Sequence, residues 1–161
     1  MPKNQLVLLG FTAAALVAAA HAQQPAPSAP SASVPYVLGM GDMMNTLIQP
    51  RHAKLGLAGA AGNWPLAAYA LVEIRQGFAG IVKAQPKFRG YPVADLADAA
   101  LKEPLAAVDD AIKAQDQKKF AAAYEHLTLG CNACHASLDH PFVVIKVPDA
   151  SAFPSQDFSK H

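Results

Sequence analysis

The sequence predicts an all-α protein: an antiparallel four-helix bundle followed by an extended C-terminal tail. Four segments of bundle-helix length are separated by short stretches marked by proline and glycine. Within these segments apolar residues recur every three or four positions, the spacing of one helix face. The chain has 161 residues, of which 52% are apolar, and this is enough for one hydrophobic core.

The first 35 residues are not expected to belong to that core. Lys3 precedes the apolar, charge-free run "LVLLGFTAAALVAAA", which closes on the small-x-small pattern Ala20-His21-Ala22. This pattern is typical of a secretory signal peptide over residues 1–22, with an uncleaved N-terminal anchor as the alternative. Residues 23–35, "QQPAPSAPSASVP", are expected to be a flexible linker. The predicted location is therefore the periplasm, with no membrane span in the mature chain.

Charge excludes one class of partner. Residues 1–22 contain one of the 13 Lys and Arg residues and none of the 12 acidic ones, so the remaining chain has 12 of each and a formal charge of zero. A nucleic-acid-binding protein would need a concentrated basic surface, so nucleic acid is not expected as a partner.

The predicted four-helix-bundle domain covers residues 36–140. The first helix is expected to start near Asp42 as its N-cap and to kink at Pro50. The second follows an Asn63 cap with Pro65 in its first turn. "QPKFRGYP" is expected to be a loop, and Pro104 either kinks the third helix or starts a new one. Gly56, Gly59 and Gly62 should allow close approach to a neighbour, and Gly130 should clear space beside the cysteines.

The fourth helix contains an uninterrupted heptad seam, on which both cysteines of the chain lie. Its positions step by four, three, four, three and four: Phe120, Tyr124, Leu127, Cys131, Cys134 and Leu138. Residues 141–161 form the predicted tail. Its "FVVIKV" stretch is β-branched but has no second strand to pair with, so a strap over the bundle is preferred to a docking edge.

The motif "CNACH", residues 131–135, permits three interpretations. A thioredoxin-like pair should lie at the start of a helix in a βαβ unit, whereas this pair is near a helix end. A structural zinc site needs four ligands, and only His126 and His140 are near enough to add to the motif. Covalent haem fits best: Cys131 and Cys134 each bind one vinyl group, and His135 follows directly as an iron ligand. One haem c is therefore the predicted cofactor.

With its CxxCH motif near the end of the last helix, the chain resembles class II cytochromes c, the cytochrome c-prime group. The resemblance covers residues 36–138 in architecture, although only "CNACH" is specific in sequence. It implies thioether bonds to Cys131 and Cys134 and a proximal ligand at His135. One position departs from the group, because Asp139 stands where a basic residue is usual.

The sixth iron ligand is expected near the start of the first helix. No methionine follows the motif, and in an antiparallel bundle the end of the last helix lies beside the start of the first. Methionine at that place is the ligand in six-coordinate relatives of cytochrome c-prime. Met44 is preferred over no ligand, then Met40, then His52, with Met43 turned about 100° away from Met44.

These residues favour periplasmic electron transfer by a His135/Met44 haem. The alternative is a five-coordinate protein that binds a small gas such as nitric oxide or carbon monoxide. No catalytic triad or paired carboxylate site is evident, so an enzyme is not expected. The sequence identifies no redox partner and leaves a homodimer open.

Overall fold

The computed structural model describes residues 36–160, so the predicted signal peptide and linker lie outside the described residues. The described part is mostly helical, as predicted. The first helical segment is continuous over residues 40–60 and has three parts: α1 (Met40–Met43), a π-helical turn (Met44–Ile48) and α2 (Gln49–Ala60). The other long helices are α3 (Trp64–Ala84), α4 (Val93–Lys113) and α5 (Gln117–Ser137).

The start of the first helical segment differs from the prediction. The helix begins at Met40, and Asp42 is its third residue rather than its N-cap. The Asp42 carboxylate accepts a hydrogen bond from the Gly39 backbone N–H at 3.2 Å. A carboxylate in the first turn satisfies a free amide there and interacts favourably with the helix dipole, so Asp42 still stabilises this end.

Pro50 is accommodated by the π-helical turn just before it. The backbone N–H of Gln49 bonds to the carbonyl of Met44, five residues back. Pro50 has no N–H, and in an α-helix its ring would crowd the carbonyl four residues earlier. Widening the preceding turn relieves that crowding, so the predicted disturbance at Pro50 takes the form of a π turn.

The predicted Asn63 cap of α3 is confirmed, and Asp116 caps α5 in the same way. The Asn63 side chain accepts from the Leu66 N–H at 3.2 Å, and the Asp116 side chain accepts from the Lys119 N–H at 2.9 Å. α4 runs through Pro104 as one helix, with that proline buried. The stretch predicted as a loop contains two very short antiparallel strands, β1 (Lys87–Phe88) and β2 (Tyr91–Pro92), with Phe88 opposite Tyr91.

Consecutive helices pack against each other, and α5 also packs against α2, which closes a four-helix arrangement. Glycines allow the α2–α5 approach: a Cβ at Gly56 would overlap the Tyr124 ring, and one at Gly59 would overlap the Phe120 ring. The predicted close approach is confirmed at Gly56 and Gly59 but not at Gly62, which follows the end of α2 with a φ of 68° and has no neighbouring atom within 4 Å of a Cβ position. Trp64 and Tyr124 are core aromatics, with Tyr124 only 2% exposed.

Two clusters of buried apolar side chains fill the interior. The larger cluster extends over α2, α3, α4 and the first half of α5, and includes Leu55, Leu71, Val108 and Leu127. The smaller cluster lies at the other end of the first helical segment and consists of Met43, Ile48, Ile81 and Val93.

Residues 141–160 form neither helix nor strand, so the β-branched stretch 142–147 does not become a strand. This segment contacts the helices at several points. Phe158 packs against the larger core cluster, and the Asn63 amide donates to the Ser159 carbonyl at 2.7 Å. Among residues 36–160, no helix is both long enough and apolar enough to cross a membrane.

Candidate functional site

An apolar cavity lies where the start of the first helical segment, the end of α5 and the segment after α5 meet. The cavity wall includes the three key residues of the CxxCH motif, Cys131, Cys134 and His135, together with Met40 and Met44. The structure thus brings together the motif and the two methionines that antiparallel topology predicted beside it. α3 and α4 complete the wall with apolar side chains: Phe78, Val93, Leu96, Ala97 and Leu101.

The π-helical turn determines which side chains of the first helical segment reach the cavity. Met40, Met44, Ile48 and His52 all line it, at intervals of four residues. In a regular α-helix each such interval rotates the side chain by about 40°, so three intervals would turn His52 well away from Met40. A π turn contains an extra residue, which keeps these four positions more nearly in line. A sequence pattern of simple α-helical spacing does not predict this wall.

Met43 and Met44 have different surroundings. Met43 is 3% exposed and belongs to the smaller core cluster with Ile81 and Val93, and it is not among the residues lining the cavity. Met44 is half-buried and lines the cavity. Of these two neighbouring methionines, Met44 is therefore the one with its side chain beside the motif.

Cys131 and Cys134 are free thiols in the last two turns of α5. Burial, with a smaller contribution from the neighbouring Cys134, raises the pKa of Cys131 to about 11, and burial also raises the pKa of Cys134. Thioredoxin-like pairs work through a thiol of lowered pKa at a helix N-terminus. Cys131 and Cys134 lie near the C-terminal end of a helix, and their pKa values are raised rather than lowered.

A zinc site is not supported by the neighbouring side chains. His140 lines the same cavity as the cysteines, whereas His126 is exposed on α5. Within residues 36–160 no three His, Cys, Asp or Glu side chains are grouped so that they could hold a metal ion. A closed zinc site needs four such ligands.

The His135 imidazole is held by the segment after α5. Its Nδ1 lies 2.9 Å from the carbonyl oxygen of Val143. Because a carbonyl can only accept, the hydrogen must be on Nδ1, and the neutral ring then has its free lone pair on Nε2. This is the tautomer that a histidine ligand needs when Nε2 binds a metal.

His52, the last of the four distal alternatives, has both ring nitrogens in hydrogen bonds. The Thr128 hydroxyl donates to the Tyr124 carbonyl at 2.9 Å, so its oxygen accepts from Nε2–H of His52 at 2.9 Å. The Tyr124 hydroxyl lies 3.0 Å from His52 Nδ1 and 2.7 Å from the His52 carbonyl. His52 is 4% exposed, and burial lowers its pKa to about 4. Ligation by His52 would break this network, which argues against it.

Gly130 does not clear space for a cofactor, contrary to the prediction. A Cβ at this position would overlap the backbone carbonyl of Ala100 in α4. The glycine therefore allows α4 and α5 to approach closely just before the motif.

Asp139, which stands where a basic residue is usual in the cytochrome c-prime group, lies in the turn after α5. Its backbone is left-handed, with a φ of 60°, and its carboxylate lies 3.4 Å from Arg89.

Asn132 and the backbone of residues 143–145 are parts of the site that the sequence did not indicate. Asn132 is the first variable residue of the CxxCH motif, and its amide pairs with Ile145. Backbone carbonyls carry no residue-type signal, so their role at His135 was not predictable from the motif. The hydrogen-bonded network of His52 has a weak sequence signal, a histidine on α2 and the pattern "YxxxT" on α5. This signal can be recognised only when the register between the two helices is known.

Comparison with known proteins gives no match to a protein-family model, to a curated protein or to a solved structure.

Proposed function

We propose that this chain is a mono-haem c-type cytochrome that carries electrons in the periplasm. The observation that carries this proposal is the shared cavity: two thiols and an imidazole in CxxCH order on one side, and two methionine thioethers on another, around a mostly apolar interior. Such a set suits a porphyrin, since its ring is apolar and its iron prefers imidazole and thioether ligands.

Cys131 and Cys134 would hold the cofactor covalently. Each thiol would add across one vinyl group, with its sulfur bonded to one vinyl carbon and its hydrogen transferred to the other. When bound, haem supplies an iron that gains and loses one electron. His135 offers Nε2 as the proximal ligand, since its Nδ1–H is held by the Val143 carbonyl. The apolar wall limits water, and Met44 is the first choice for the second axial ligand.

The second candidate function is binding of a small gas to a five-coordinate iron. It is favoured by the apolar character of the wall that α3 and α4 contribute, where Phe78, Leu96 and Leu101 offer no ligand. Met44 would then line the pocket without ligation, as methionine often does in cores.

Absorption spectra of the purified haem protein and of two matched methionine variants distinguish these functions. We expect wild type to show the weak long-wavelength band of methionine-ligated ferric haem. Met44→Ala should abolish that band, whereas Met40→Ala should retain it. A high-spin ferric spectrum in wild type, with rapid carbon monoxide binding after reduction, would contradict Met44 ligation and favour the gas-binding function.

A further inference from the structure

The chain reverses direction directly after α5 through a Schellman turn. The His140 N–H bonds to the His135 carbonyl at 2.9 Å, and the Asp139 N–H lies 3.3 Å from the Ala136 carbonyl. Asp139 takes the left-handed position that glycine usually occupies, which aspartate tolerates better than most residues. The turn is also anchored from the β1–β2 loop, since Arg89 donates to the Leu138 carbonyl at 3.3 Å. The following residues, 141–146, are called the strap below.

The strap lies on the last turns of α5 through three hydrogen bonds to two side chains. Asn132 Nδ2 donates to the Ile145 carbonyl at 2.8 Å, and Asn132 Oδ1 accepts from the Ile145 N–H at 2.7 Å. This amide satisfies both backbone groups of one residue, as a neighbouring strand would. The third bond joins His135 Nδ1 to the Val143 carbonyl.

The two contacts on the strap depend on each other. Residues 142–147 form no strand or helix, so regular backbone structure does not fix the position of the Val143 carbonyl. Val143 lies between the Schellman turn on one side and the Asn132–Ile145 pair on the other. Its own N–H bonds to the His140 carbonyl at 3.0 Å. The Asn132 pair therefore limits how far the Val143 carbonyl can move from His135.

We infer that Asn132 is a positioning residue for His135, acting through the strap. This inference rests on the proposed function, because it concerns the residue proposed as the proximal ligand. A carbonyl that accepts from Nδ1–H fixes the ring orientation and makes Nε2 a stronger electron donor. Stronger donation favours oxidised iron, so the intact strap should lower the reduction potential. Release of the strap should make the potential more positive.

The test uses the full haem-loaded chain and two variants that break the same pair from opposite sides. Asn132→Leu removes both side-chain bonds. Ile145→Pro removes the N–H donor and leaves the CxxCH motif unchanged. Lys146→Ala is the control, because Lys146 is the next residue along and its side chain pairs with nearby Asp149 at 3.5 Å rather than with Asn132 or His135. Two readouts are compared: the solvent exchange of the His135 Nδ1–H by ¹⁵N NMR of the reduced protein, and the reduction potential.

We expect at least tenfold faster Nδ1–H exchange and a more positive potential in both variants, with neither change in Lys146→Ala. Unchanged exchange and potential in both variants, or equal changes in the control, would overturn the role of Asn132. A wild-type chain that acquires no haem would instead refute the proposed function. The NMR comparison needs no iron, so in that case it still decides whether Asn132 holds the His135 ring.

Discussion

The two halves of α5 have the same apolar spacing but very different surroundings. In the first half Phe120, Tyr124 and Leu127 are each at most 2% exposed and pack in the larger core cluster. In the second half Cys131 and Cys134 continue the seam, yet both are only half-buried and line a cavity.

The difference comes from what faces each half. Gly56 and Gly59 of α2 let the aromatic rings of the first half pack directly against a neighbouring helix. Opposite the second half, the first helical segment offers Met40 and Met44 across a gap. A seam that continues in sequence but lacks side chains to fill its far end is what a bound apolar cofactor requires.

The largest expected effect comes from removing the two thiols of the cavity half. Cys131→Ala combined with Cys134→Ala should abolish covalent haem completely, because no other cysteine is present in the chain. Intact mass spectrometry after expression with a haem maturation system checks this. As a control, His126→Ala changes an exposed residue on the same helix and should retain full loading. Covalent haem in the double variant would contradict the assignment.

A matched pair of leucines on α5 tests the comparison through stability. Leu127→Ala in the packed half should lower the free energy of unfolding by about 2–5 kcal/mol, as is usual for a fully buried leucine. Leu138→Ala, at the cavity, should lower it by less than half as much, because that side chain is only partly buried. Denaturant unfolding of the haem-free chain measures both. Equal losses would mean that the two halves are equally well packed.

The pH dependence of stability is the next effect in size. The neutral His52 is favoured in the folded state, where its pKa falls from 6.5 to about 4. Stability from this residue is complete above pH 6.5 and is lost as the pH falls toward 4, because the unfolded chain takes up the proton first. The loss is about 3 kcal/mol for a shift of this size.

His52→Leu should flatten this part of the stability curve. The Tyr124 and Thr128 hydroxyls can still donate to backbone carbonyls in that variant, so no buried donor is left unpaired. His126→Gln, at an exposed site, should leave the curve as in wild type. Chemical unfolding at pH 4.5, 5.5 and 7.5 measures the difference, and an unchanged slope in His52→Leu would contradict the account.

The smallest effect is expected at the turn that starts the strap. Asp139→Gly should raise the free energy of unfolding by up to about 1 kcal/mol, because glycine adopts the left-handed conformation without strain. The exposed pair with Arg89 contributes little to oppose this gain. Asp139→Ala, which keeps the strain and loses the carboxylate, should be less stable than wild type. Thermal unfolding of the three proteins tests the order.

The sequence was sufficient to predict the helices and the neighbourhood of the motif. Asn63 and Pro65 mark the start of one helix through local chemistry, and antiparallel topology alone predicted Met40 and Met44 beside Cys131. The strap was harder because its key groups are the carbonyls and N–H of Val143 and Ile145. Backbone groups have no signature in residue type, and their position depends on a left-handed aspartate.

The π-helical turn in the first helical segment was equally difficult to predict. Pro50 indicated a disturbance, but whether a proline produces a kink or a π turn depends on packing on both sides of it. This choice decides whether Met40, Met44 and His52 lie on one wall. His52, a predicted distal alternative, lines this wall and is also part of a buried network with Tyr124 and Thr128.

The central claim, that a covalent haem fills the cavity half of the bundle, is tested most directly by the intact mass of the purified wild-type protein. The chain is expressed with its N-terminal segment and a haem maturation system, and its mass is measured before and after acid–acetone extraction. We expect the mass of the mature chain plus one haem, unchanged by extraction because the thioether bonds survive it. A mass equal to the chain alone, or to the chain plus zinc, would contradict the claim.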